Sequence, residues 1–260
     1  MGKSKNRVLR LKQFDVRDDR CAMKVGTDAL ILGAWATVPA AGERLLDVGT
    51  GSGILALMAV QRAPEASVVA VELDPEAAAQ ARENAAASPF APRIRVVEED
   101  FLAFAAAQAA ASFEAVWLNP PYFRDKPASP DPARTRARHE SSLPLIRWFP
   151  ACSRLLSAGG TLSVVWPKER ETELFGAAAL EGFSPERLLQ LRGHSDGDVI
   201  RLAAVFSRAS AQRCEVSEIS LETALRGDGP PRRSDAYFEL LSEFVLEAGD
   251  PRRPAQAPKM

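Results

Sequence analysis

The chain has 260 residues, 46% of them apolar and 26% charged, which suits one large folded domain and excludes wholesale disorder. Its 33 Lys and Arg against 34 Asp and Glu leave a net charge of −1, so a uniformly basic nucleic-acid coat is excluded while local basic patches are not. Three distant cysteines (Cys21, Cys152, Cys214) make neither a zinc motif nor a disulfide framework, and no apolar run reaches the ~18 residues of a membrane span. The expectation is a soluble, cytoplasmic domain that neither enters a membrane nor carries a metal site.

Residues 1–12 hold Lys3, Lys5, Arg7, Arg10 and Lys12 without an acid and read as a flexible basic arm before a domain at 13–247. Thr27 or Asp28 can cap a helix running to Trp35. The apolar run Arg44–Val48 ends at glycines and predicts a buried strand, followed by a helix over Ile54–Arg62. Val68–Val71 is a second strand, and Pro75 opens an Ala- and Glu-rich helix. Ile94–Val97 is a third strand, Phe101–Ala111 helical, Phe113–Leu118 a fourth strand, and 119–140 a long polar loop. After a helix at Leu143–Leu156 and a turn at Gly159-Gly160 come a strand at Thr161–Trp166 and two β-rich segments near Leu188–Leu191 and Val199–Phe206. Tyr237–Leu246 reads as a terminal helix, and the Pro-rich 248–260 as a disordered tail. Seven strands alternating with helices specify an α/β fold, a doubly wound, mostly parallel sheet with helices on both faces.

Asp47-Val48-Gly49-Thr50-Gly51-Ser52-Gly53 stands where the first strand turns into the first helix. Glycines allow a tight turn and close approach of a ligand, and the helix start offers free N–H groups to an anion. Glu72 ends the second strand, 25 residues after Asp47, where a carboxylate can accept both hydroxyls of a ribose. Gly51-Ser52-Gly53-Ile54-Leu55-Ala56 also fits a loose dinucleotide pattern, so the turn alone is ambiguous. An acid at the lip suits an α-amino group better than a pyrophosphate, which favours S-adenosylmethionine, with Leu73 beside Glu72. Asp100 and Phe101, past the third strand, have a functional reading as contacts to the cofactor's adenine, with Asp100 as a plain helix N-cap the alternative.

Asn119-Pro120-Pro121-Tyr122 follows the fourth strand directly, at the edge of the sheet where ligands bind in such folds. The exocyclic amine of adenine is a poor nucleophile because its lone pair is delocalised into the ring. The Asn119 side-chain oxygen and the Pro120 carbonyl can accept both of its N–H bonds and favour a more sp3-like nitrogen. Pro121 stiffens the loop, and Tyr122 offers a stacking face worth ~1–3 kcal/mol. No tuned general base is needed, since the proton can leave after methyl transfer.

Together these motifs resemble class I S-adenosylmethionine-dependent methyltransferases, whose fold is Rossmann-like. More narrowly, the chain resembles the bacterial tRNA1(Val) (adenine-N6)-methyltransferases, which modify the adenine 3′ of the anticodon. The narrower likeness is carried by Gln13-Phe14, by the run Asp19-Arg20-Cys21-Ala22-Met23-Lys24-Val25-Gly26-Thr27-Asp28, and by Leu32-Gly33-Ala34-Trp35, with Val71-Glu72-Leu73 and Ser88-Pro89 further on. It is close from about Gln13 to Phe123 and looser to about Glu247. The resemblance implies that Lys24 and Thr27 lie near the cofactor's methionine end, with Gln13-Phe14 closing over the site. A capped helix start with a solvated lysine is the alternative for Lys24 and Thr27. The run Arg232-Arg233-Ser234 departs from the aromatic that precedes this serine in many members.

Arg124, Lys126, Arg134, Arg136 and Arg138 against Asp125 and Asp131 put +3 on the loop beside the proposed site, which suits phosphate steering of tRNA. His139 and His194 read as surface and turn residues, leaving no metal site, and no obligate protein partner is evident. Asn-Pro-Pro-Tyr alone also fits glutamine-N5 protein methyltransferases and other N6-adenine enzymes; the Cys21–Asp28 segment separates them. The non-enzymatic alternative, an RNA chaperone that binds S-adenosylmethionine, has no use for two acceptors aimed at an amine.

Overall fold

A computed structural model describes residues 8–121, 145–208, 213–223 and 232–246. Tyr122, the basic loop at 124–138, residues 1–7 and the 248–260 tail lie outside the described residues. The body is one sheet of eight strands: β3 (Arg44–Val48), β4 (Ser67–Glu72), β5 (Ile94–Glu98), β6 (Phe113–Leu118), β7 (Leu156–Pro167), β8 (Ser184–His194), β9 (Val199–Ser207) and β10 (Glu215–Glu222). Their spatial order is β10-β8-β9-β7-β6-β3-β4-β5, and β9 alone runs against the others. The sheet is therefore mostly parallel and doubly wound. It carries one strand more than the seven expected, because β10 adds to the edge beside β8 in parallel register.

Successive residues of the inner strands supply opposite faces, as the pleat requires. Leu45, Ala70, Ala115 and Trp117 join one core, with helices α1 (Thr27–Trp35) and α2 (Ile54–Arg62). Leu46, Val69, Val71, Val116 and Leu118 join the other, with α4 (Phe101–Ala107), α5 (Leu145–Leu155) and α6 (Glu171–Leu180). Strands buried on both sides must be apolar nearly throughout, which is why the runs ending at Val48, Val71 and Leu118 stand out in the sequence. The remaining helices are α3 (Pro75–Ala86), started by Asp74 accepting the Ala77 N–H, and the short α7 (Asp235–Leu240).

Four sequence expectations need correction, the last being the turn at Gly159-Gly160, both of which lie within β7. The flexible arm does not reach residue 12: β1 (Val8–Arg10) pairs antiparallel with β2 (Asp15–Arg17), Leu11 is buried, and the Lys12 N–H donates to Phe244 O at 2.8 Å. Apolar Val8, Leu9 and Leu11 among the cations are the reason. Neither Thr27 nor Asp28 caps α1, whose N-cap is Gly26. Their side chains are engaged instead by arginines from distant segments, Thr27 accepting from Arg233 at 3.0 Å and Asp28 pairing with Arg201 at 3.1 Å. The third is the terminal helix, which is only the six residues of α7 and gives way to turns after Leu240.

The α1–α2 contact is close enough to test. A Cβ placed on Gly33 would sit 2.5 Å from Met58 Sδ and 3.1 Å from its Cβ. Gly33→Val is expected to cost about 1–3 kcal/mol by overpacking, read as a lower denaturant midpoint with an unchanged slope.

Candidate active site

The winding of the sheet reverses between β3 and β6, and the register there places the candidate residues at one level. Val48 is opposite Leu118 on one side and Val71 on the other. The next residues outward are therefore Gly49, Asn119 and Glu72, and Glu72 in turn faces Glu98, two residues before Asp100. Neighbouring strands are about 4.8 Å apart, so this row spans roughly 15 Å along the carboxyl rim of the sheet. Ligands of open α/β sheets bind in such a crevice.

The glycine turn is built from left-handed backbone. Gly49, Gly51 and Gly53 have φ of 69°, 56° and 82°, where a side chain would be strained. Among the described residues, a Cβ on Gly49 or Gly51 would meet nothing within 4 Å, so there the outer face of the turn is open to a ligand; one on Gly53 would rest 3.4 Å from Ala81 of α3. The N–H groups of Gly49 and Thr50 both donate to Val71 O, at 2.9 and 3.0 Å, tying the turn to β4. Glu72 closes it from the side, accepting from Gly51 N at 2.7 Å and Asp74 N at 3.0 Å. Desolvation holds the Glu72 carboxyl above its ordinary pKa, only partly offset by those N–H donors.

Asp47 is not at the lip, where its charge suggested it would be. It shares the pleat face of Leu45, beneath α2, and is 0% exposed. Its Oδ2 accepts the Thr50 hydroxyl and the Ala56 N–H at 3.2 Å, while Oδ1 has no hydrogen-bond partner among the described residues. Asp47 thus shapes the turn from below, and burial pushes its carboxyl up to about 7.

Of the other expected residues, Leu73 is 42% exposed beside Glu72, an apolar surface at the rim. Asp100 is the N-cap of α4, accepting the Ala103 N–H at 3.0 Å, and Phe101 is buried edge-on against Trp148 at 5.9 Å between ring centres. Lys24 is exposed, and its ammonium donates to the carbonyls of Asp18 and Cys21, closing its own loop. Asn119 is half-buried at the end of β6, Pro120 is buried and Pro121 half-buried. Sequence reasoning missed Thr50, Gln80 and Asn84. The last two sit in an Ala- and Glu-rich helix whose composition gives no hint of a special face.

A doubly wound sheet of this strand order, with a glycine turn after its first inner strand and an acid after the second, defines a class I methyltransferase. Solved structures agree on the fold. A predicted O-methyltransferase from Agrobacterium tumefaciens superposes with a TM-score of 0.61 at 20% identity, over 86% of this chain and 100% of that one. Geranyl diphosphate C-methyltransferase from Streptomyces coelicolor does so at 0.51 and 15% identity, over 70% and 78%.

Residues 23–177 match the Methyltransferase small domain family. Over 93% of its length the chain is 39% identical to the tRNA1(Val) (adenine(37)-N6)-methyltransferase of Bacteroides thetaiotaomicron, covering 98% of that protein. It is also 39% identical to the enzyme of that name from Aeromonas hydrophila, over 94% of this chain and 99% of that one. The chain belongs to the tRNA1(Val) (adenine(37)-N6)-methyltransferase family.

Asp47 gives the site a pH signature in the free protein. Its carboxyl takes up its proton near pH 7 when folded but near 3.9 when unfolded, so the folded state binds the extra proton between those limits. Stability attributable to Asp47 is intact below about pH 4, falls as pH rises to about 7 and is flat above. Relative to Asp47→Asn, the wild type should lose stability through that window, read by thermal melts across pH.

Proposed function

We propose that the chain methylates the N6 amine of adenine 37 in tRNA1(Val), using S-adenosylmethionine as donor. The observation that carries this reading is the register Val48↔Leu118, which sets Asn119-Pro120 beside the outward-facing glycine turn at the switch point. The residues fit an adenosyl ligand: Glu72 for the ribose hydroxyls, the exposed Leu73 for the adenine, and the open turn with the α2 N-terminus for the methionine carboxylate. Asp100 and Phe101 border the adenine end, while Lys24 and Thr27 border the methionine end. Asp47, Gly49, Gly51 and Gly53 keep the turn in shape. When bound, S-adenosylmethionine supplies an electrophilic sulfonium methyl.

The chain's own task is to present the amine. Asn119 Oδ1 and Pro120 O accept the two N–H bonds, withdrawing the lone pair from the ring and aiming it at the methyl. Pro120 and Pro121 fix these acceptors before substrate arrives. Tyr122 stacks on the base, which must leave the anticodon loop to enter the crevice. The nitrogen forms the new C–N bond as the C–S bond breaks, giving S-adenosylhomocysteine, and the amine's proton then passes to water. The nucleophile and the leaving thioether are both neutral, so no metal is required. The basic N-terminal run, with Lys3, Lys5, Arg7, Arg10 and Lys12 and no acid, supports a polyanionic substrate. A tRNA substrate implies a cytoplasmic enzyme.

Incubation with labelled S-adenosylmethionine and separate pools of tRNA, DNA and protein should label tRNA alone, with N6-methyladenosine in its nucleoside digest. Label confined to protein would replace this reading with glutamine-N5 transfer. Asn119→Ala is expected to lower kcat by about 10²–10³-fold, as loss of one preorganised polar contact does, while affinity for S-adenosylhomocysteine barely changes. Full activity in that variant would remove Asn119 from the mechanism.

A further inference from the structure

Helix α3 carries two buried amides that the methyl-transfer chemistry does not use. Gln80 and Asn84, one helical turn apart, are 1% and 4% exposed, and both face the segment that follows β1. Gln80 accepts the Arg20 N–H at 3.0 Å and donates to the Asp19 carboxylate at 2.6 Å. Asn84 accepts the Arg17 N–H at 3.0 Å and donates to Arg17 O at 2.7 Å, a pair of bonds like those of a neighbouring strand. It also donates to Ser52 O at 2.8 Å, inside the glycine turn. One amide, with its acceptor and its donors engaged, therefore grips two backbones distant in sequence.

We propose that Asn84 is a positioning residue that couples the seat of S-adenosylmethionine to the N-terminal segment, residues 13–25, so that filling the turn and ordering the segment reinforce each other. The proposal rests on the glycine turn being that seat. The segment needs such an anchor. A two-stranded ribbon of three-residue strands has little stability alone, and β1 and β2 pair only with each other. What fixes it to the body is tertiary: the burial of Phe14, Val16 and Val25 in the core, the two amides, the Arg20–Glu83 ion pair and the edge contact of Phe14 with Phe90 at 6.0 Å. The segment leads into Lys24 and the start of α1, so its placement sets where those groups stand. Among the described residues, Asn84 is a side chain that hydrogen-bonds both the segment and the turn. Gln80 holds the segment to α3 without touching the turn, which makes it the natural control.

Coupling between two sites is reciprocal, so the ligand's effect on the segment and the segment's effect on the ligand share one factor. Hydrogen–deuterium exchange of the full chain, with and without S-adenosylhomocysteine, reads it directly. In the wild type, exchange across residues 13–25 should slow by about fivefold or more on binding. Asn84→Asp keeps the shape and the acceptor but turns a carboxylate toward two carbonyls. It should abolish that slowing and weaken S-adenosylhomocysteine binding by the same factor. Gln80→Leu should raise exchange in the segment yet leave the ligand-dependent slowing in place. Equal slowing in wild type and Asn84→Asp would overturn the proposal, as would its loss in Gln80→Leu. A wild-type chain that binds the ligand without slowing exchange overturns it whatever the variants do. Failure of the wild type to bind, seen by titration calorimetry, would instead remove the seat itself.

Discussion

The structure depends on one constraint, the parallel register of β3 between β4 and β6. Parallel pairing fixes Val48, Val71 and Leu118 at one height, so whatever follows each strand must emerge at the same rim. Because the chain winds outward from β3 in one direction and returns to lay β6 on its other side, the emerging loops diverge and leave a crevice. The glycine turn, Glu72 and Asn119 are neighbours for that reason alone. Nothing in their sequence spacing brings them together. The hydrogen-bonded ladder of the sheet positions the chemistry, and the glycines keep that position accessible.

The inner half of the sheet was legible because burial on both faces leaves a compositional mark. Arg44–Val48, Ser67–Glu72 and Phe113–Leu118 are short apolar runs ending at turn or polar residues, and each is a strand. The outer strand β10 left no such mark: Val216, Ile219 and Leu221 are broken up by three glutamates and two serines, so no continuous apolar run forms, and its first four residues are exposed. An edge strand is stabilised by pairing on one side, so its side chains need not be apolar. The ribbon of β1 and β2 was hidden for another reason. Three residues per strand carry no periodicity, and cations beside Val8 and Leu9 look like a solvated arm until Leu11 and Phe14 are seen to be buried.

The site was legible in composition but less so in orientation. Glycines, an acid after the second strand and Asn-Pro-Pro announce what sort of groups gather at the rim. They do not say which way a side chain points. Asp47 illustrates the difference: charge alone favours the lip, whereas the pleat places it with Leu45 under α2, where Thr50 and Ala56 supply its bonds. Asn84 is the converse. An amide in a helix rich in alanine reads as solvated surface, and only the approach of β2 and the glycine turn to the same helical face shows what it joins.

These placements also bear on where specificity resides. The Agrobacterium and Streptomyces neighbours share this sheet at 20% and 15% identity, and the latter is named for methylating carbon in an isoprenoid diphosphate, far from a nucleobase in chemistry. A fold common to such substrates cannot itself select among them. In the proposed reading the sheet fixes the donor's half of the crevice, between β3 and β4, and the acceptor's half begins at Asn119; the segment before α1 docks against α3. Asn84 spans the glycine turn and that segment, since one of its partners is Ser52 and the other is Arg17. An enzyme built this way can exchange its recognition elements while keeping the donor seat, provided each new element finds an anchor on the same helices.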